Sequence, residues 1–197
     1  MNKLTGIVGA AMSALMFGSV TVGAVLALYT SNKTINVHLQ SGNLSAKLYL
    51  TSIIRDELDS QGLWVVDKDV DLSSYEGYDA EKGVDLSIYG DAIFSDILLV
   101  PGMTGKATFK LYNTGSIAFN YTVSLVNMQG GEQLLDDLEF VYPTTVSSLN
   151  KDDNDTFTVS YLFRDDGVDQ DGVGNNNDAM NQSVTFDISV LCTQVAK

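Results

Sequence analysis

Apolar residues fall on every second position through much of this chain, a period that suits a β-strand with one buried face and one wet face. Ile35, Val37 and Leu39 alternate with Asn36, His38 and Gln40. After Ser41-Gly42, the residues Leu44, Ala46, Leu48 and Leu50 do the same. The turn Val100-Pro101-Gly102 precedes Ala107, Phe109 and Leu111, and Asn113-Thr114-Gly115-Ser116 precedes Ile117, Phe119, Tyr121, Val123 and Leu125. Two further runs hold Phe157, Val159, Tyr161 and Phe163, then Val184, Phe186, Ile188, Val190 and Cys192. Six such strands with turn signals between them predict an all-β, antiparallel sandwich. Short helical pieces are expected at Ser52–Leu58 and Glu132–Leu138. Between them lies an internal echo, Val70-Asp71-Leu72-Ser73-Ser74-Tyr75 and Val84-Asp85-Leu86-Ser87-Ile88-Tyr89. Two copies are too few for a solenoid, so they read as paired surface loops or short strands.

The first thirty residues do not belong to that pattern. Lys3 is the only charge before a long apolar run from Leu4 to Tyr29. A lone lysine, an apolar core and small residues after it form a secretory leader. The run also reaches the ~20 residues that cross a bilayer, so a retained N-terminal anchor is the competing reading. Its many glycines and alanines make it weakly hydrophobic for a permanent span and favour cleavage, at Ala27/Leu28. The chain then divides into a signal peptide or anchor over 1–27, an extended segment over 28–42 and a β-sandwich domain over 43–197.

Past Ala27 the chain holds 10 basic and 25 acidic groups, because Lys3 is the only charge removed from the 11 and 25 of the whole. A net charge of −15 excludes nucleic acid, whose phosphates need a basic face, and an anionic membrane surface. The membrane is expected as a partner only through the leader. Cys192 is alone, so no intramolecular disulfide can form, and its place in an apolar strand makes it a small buried hydrophobe. His38 is the single histidine, so the chain has neither a histidine-pair zinc site nor an HExxH helix. No nucleophile elbow accompanies it. The expectation is a protein that is not an enzyme and has no cofactor.

Two segments are candidate sites. Arg164–Asp178 is rich in Asp, Asn and Gly, and Asp166, Asp169, Asp171 and Asp178 are oxygen ligands of the type Ca²⁺ takes, with Asp165 beside them. The EF-hand pattern fails there: with Gly172 at the invariant glycine, Gly167 occupies the first ligand position. The plain alternative is a solvated hairpin loop. The second candidate is the stretch just after the cut. Ile35, Val37 and Leu39 either begin the chain's own sandwich or enter a neighbouring copy as a donated strand. A head-to-tail contact of that kind does not close and yields a filament.

Three stretches carry a resemblance. They are Ala27-Leu28-Tyr29-Thr30-Ser31 with Ser41-Gly42-Asn43-Leu44-Ser45-Ala46-Lys47-Leu48, then Leu99–Ser116 (LVPGMTGKATFKLYNTGS), and Phe186–Gln194 (FDISVLCTQ). Their order and spacing are similar to the TasA/camelysin family of Firmicutes. The resemblance implies a Gram-positive origin, a jelly-roll sandwich and processing by a SipW-type signal peptidase. It also implies a secreted or cell-surface protein that builds biofilm-matrix fibres with itself or a related subunit, its mature N-terminus acting as donor strand. Residues 52–95 have no counterpart in that pattern, and the chain is shorter than the larger fibre-forming members, which leaves room for an accessory subunit. Camelysin-type members are classed as metallopeptidases, but no zinc motif here carries that role. The function expected is an extracellular structural protein assembling through Ile35, Val37 and Leu39. The alternative is a membrane-anchored monomeric surface domain, with Ca²⁺ as a candidate ligand, and a surface protease ranks last.

Overall fold

A computed structural model describes residues 27–29, 44–89, 91–94, 97–165, 179 and 181–195. The leader before Ala27 and the segment holding Ile35, Val37 and Leu39 lie outside the described residues.

Among the described residues twelve strands form: β1 (Ala27–Tyr29), β2 (Ala46–Leu58), β3 (Trp64–Asp69), β4 (Tyr78–Asp79), β5 (Gly83–Asp85), β6 (Ile97–Leu99), β7 (Thr104–Asn113), β8 (Phe119–Gly130), β9 (Leu138–Val141), β10 (Ser147–Leu149), β11 (Asn154–Phe163) and β12 (Ser183–Gln194). They build two sheets. One runs β10-β8-β12-β1-β6, the other β4-β5-β2-β7-β11-β9, with β3 paired to the far half of β2. The all-β sandwich is the class that the alternation predicts, and the five predicted strands within the described residues all form.

The period-two pattern sets which face each strand buries. On β7, Ala107, Phe109 and Leu111 are fully buried, and on β11 Phe157, Val159, Tyr161 and Phe163 face the same layer. The register sets Phe157 opposite Phe109 and Val159 opposite Ala107, and the two phenylalanine rings stack at 5.2 Å. Contacts between Tyr121 and Phe157, and between Phe140 and Phe186, join the two sheets. Each fully buried side chain of this kind contributes about 1.5–3 kcal/mol. Glycine is required at position 105: a Cβ there would meet the Tyr161 ring at 2.5 Å.

One expectation fails. Ser52–Leu58 is not helical; β2 runs through it as strand. A bulge near Thr51 shifts the register, after which Ser52, Ile53, Ile54 and Arg55 pair with Thr108, Ala107, Lys106 and Gly105. The partner strand satisfies the backbone, and adjacent β-branched Ile53 and Ile54 suit a pleated surface better than a helix. The other expected helix forms as α1 (Glu132–Asp137), with Leu134 fully buried.

The echo does not stay on the surface. Leu72 of the first copy and Val84, Asp85, Leu86 and Tyr89 of the second are buried. Asp71 accepts from the Ser73 N–H and Asp85 from the Ser87 N–H, each at 2.9 Å. The rings of Tyr75 and Tyr89 stack on one another at 5.0 Å. The two copies thus repeat one Asp-capped turn, drive a leucine inward and meet through their tyrosines.

Candidate functional site

The predicted cleavage pair, Ala27 and Leu28, lies in β1, a short strand inside the five-stranded sheet. Leu28 and Tyr29 pair in parallel with Ser183 and Val184 of β12. On its other side β1 runs antiparallel to β6, with Ala27, Leu28 and Tyr29 opposite Leu99, Leu98 and Ile97. A single row crosses Gly130, Val184, Tyr29 and Ile97. Gly130 is what lets β8 approach, since a Cβ there would meet the Ser183 carbonyl oxygen at 2.5 Å. A bulge follows between Thr185 and Asp187. It is held by buried Asp187, which accepts from the Asn127 amide at 2.6 Å. Among the described residues β6 has no sheet partner except β1. The slot is therefore backbone-lined on both sides. It holds the extended segment Ala27–Tyr29 by backbone pairing.

The Ca²⁺ candidates Asp166, Asp169, Asp171 and Asp178 lie outside the described residues, as do Ile35, Val37, Leu39 and His38. Asp165 is described and exposed. Among the described residues no three His, Cys, Asp or Glu side chains group as a metal site would require. Cys192 is buried and free, and burial pushes its thiol up to about 11. That keeps it protonated and unreactive at neutral pH. Among the described residues no helix is long and apolar enough to cross a membrane.

Buried polar groups here serve structure. Asp56 accepts from the backbone N–H groups of Asp67 and Thr104, tying β3 to the start of β7. Asn113 donates to the carbonyls of Ile117 and Leu149 and accepts from the Gly115 N–H. Asp85 accepts from the Ser87 hydroxyl at 2.6 Å and from Lys47 at 3.1 Å. Burial alone would raise the Asp85 carboxyl, but the bonds from Ser87 and Lys47 outweigh it and hold it below 3.8. Lys47 is raised above 10.5, chiefly by its hydrogen bond to Asp85. A depressed acid stabilises above its unfolded pKa and loses that as pH falls through the folded one. A raised base stabilises below its unfolded pKa and loses that as pH rises through the folded one. Lys47→Met should therefore be less stable than the parent near neutrality. The difference should shrink below pH 3.8 and again above pH 10.5, read from urea midpoints at three pH values.

The sequence pattern gave no reason to single out the outer face of β2, β7 and β11. The register aligns Lys47 with Tyr112, Tyr49 with Lys110 and Thr156, Ser52 with Thr108 and Thr158, and Ile54 with Lys106 and Ser160. No carboxylate stands among these outward positions, in a chain with 25 acidic side chains. Lys110 sits 5.1 Å from the Tyr112 ring centroid, and Tyr49 meets that ring edge-on at 5.4 Å. A depression of about 270 Å³ opens at Lys106, and its lining includes Ile54, Ser160, Leu162 and the carboxylate residues Asp67 and Glu139. Alternate polar positions at Thr108, Lys110 and Tyr112 were the only sequence signal for this face, and they read as ordinary wet strand. No protein-family model matches the chain, and no curated protein matches it.

Proposed function

We propose that the protein is a secreted structural subunit that polymerises by donating its N-terminal segment as a strand to the next copy. The observation that carries this reading is the position of β1. Residues at the expected start of the mature chain occupy an interior place in a sheet, between β12 and β6. A slot that accepts this segment from its own chain can accept the same segment from a neighbour, because backbone pairing does not distinguish the source. The exchange is heterologous, so each copy gives and receives once and the assembly grows as a fibre. Ile35, Val37 and Leu39, following in the donated segment, add apolar burial of about 1.5–3 kcal/mol each when fully covered.

Two further points support the reading. The order of the three stretches resembling the TasA/camelysin family is that of secreted fibre subunits cut by a dedicated peptidase. The Ala27–Leu28 bond also lies within β1, both residues paired to β6 and Leu28 to β12 as well, and a bond so held cannot enter a protease cleft. Cleavage then precedes closure of the sheet, as expected for processing during export.

The test is Val37→Asp in the secreted protein. The variant should keep the parent's far-ultraviolet spectrum and melting curve, yet sediment as a monomer and give no fibres by electron microscopy. Normal fibres from this variant, or an uncut chain confined to the membrane fraction, would replace the reading with a surface-anchored domain.

A further inference from the structure

We infer that the outer face of β2, β7 and β11 is a binding surface for an extended, carboxylate-bearing polysaccharide lying along β7. Lys106 and Lys110 point outward from the same strand four residues apart, a spacing of about 13 Å. Lys47 stands beside Tyr112 on the neighbouring strand but is already paired to Asp85 at 3.1 Å, so Lys106 and Lys110 are the cations the line offers. Among the described residues neither Lys106 nor Lys110 has a carboxylate within 4.0 Å; the ion pairs formed use other cations. Hydroxyls flank the line at Thr108, Thr158 and Ser160. Point charges at intervals, with hydroxyl rows and one partly exposed tyrosine ring between them, match a polymer carrying acid groups on hydroxylated rings.

The composition and size of the face argue for such a ligand over a protein. Stable protein contacts are depleted in Lys and Ser at their centres, and those residues are what this face offers. Three strands spaced ~4.8 Å apart, with outward rows spanning about 30 Å, cover roughly 400 Å². That is about half of the ~800 Å² each partner buries in a stable pair. A linear chain needs only a stripe. The molecule is acidic, net charge −14 overall, and carboxylates end the rows of this face, Asp85 opposite Tyr49 and Asp69 opposite Ile54, so a polyanion is confined to the line between them. Asp67 and Glu139 line the depression at Lys106. The inference is independent of polymerisation, because the face uses no residue of β1, β6 or β12.

The experiment is affinity electrophoresis of the purified protein through gels containing polygalacturonate, neutral dextran or inorganic polyphosphate. Polygalacturonate should retard the protein and dextran should not, and added salt should weaken retardation because exposed charges are screened. The double variant K106Q/K110Q should lose affinity by about tenfold or more with an unchanged melting curve. Lys82→Gln, a lysine off this face, should bind like the parent. Equal retardation of the double variant, no retardation by polygalacturonate, or retardation by polyphosphate in its place would overturn the proposal. Self-association that depends on concentration and disappears in K106Q/K110Q would also overturn it, because a second copy would then own the face.

Discussion

Asp56→Ala should cost roughly 2–3 kcal/mol, because it removes a buried carboxylate that accepts part-buried, charge-assisted hydrogen bonds from two backbone N–H groups. Asp56 is 3% exposed. One carboxylate oxygen accepts from the Asp67 N–H at 2.9 Å, and the other accepts from the Thr104 N–H at 2.8 Å and its hydroxyl at 3.3 Å. Asp67 has a positive φ of 52°, a conformation uncommon without glycine, so the bond from Asp56 also fixes strained backbone. Asp56→Asn keeps one acceptor oxygen and should fall between parent and alanine variant. Urea unfolding measures the loss, and amide exchange locates it: Asp67 and Thr104 should exchange faster than the rest of the sheet. A loss below about 1 kcal/mol would mean that solvent replaces the carboxylate, and the tie between β3 and β7 would be dispensable.

Phe109→Ala should remove about 3–5 kcal/mol, the usual range for deleting a core phenylalanine. Phe109 is fully buried, sits opposite Leu50 on one side and Phe157 on the other, and stacks on the latter ring. Small residues at Gly105 and Ala107 line the same inward row, so little nearby can swing in to fill the space. Phe157→Ala should cost a similar amount, and the double variant less than the sum, because the rings couple by about 0.5–1.5 kcal/mol. Unfolding midpoints should move while the denaturant slope stays constant. Additive losses would show that the two rings act independently and that their stacking adds nothing.

Strand positions were legible because alternation is written directly into burial. Phe157, Val159, Tyr161 and Phe163 all point inward as their spacing requires. Ser52–Leu58 misled because a bulge breaks the period of two at Thr51, and a broken period over seven residues looks like a helical one. The short strands β4, β5, β6, β9 and β10 hold two to four residues each, too few to show any period. The echo was visible as letters, but the stacking of its tyrosines depends on a contact between segments fourteen positions apart in sequence. The lysine-bearing face was hidden for another reason. Which polar residues become neighbours is decided by the register between strands, and register is long-range information.

The strand order has a consequence for when this protein can fold. β12 lies inside its sheet, between β8 and β1, yet it follows every other strand in the chain. A ribosome delivers the first strand of that sheet early and the one that pairs with it last. The row linking Tyr29 to Val184 spans nearly the whole sequence, and contacts so distant form slowly. Until residue 194 has emerged, β8 lacks its main neighbour and β1 can pair only with β6. The five-stranded sheet therefore cannot close until synthesis of the chain is almost complete, whereas β2, β7 and β11 of the other sheet can pair before then.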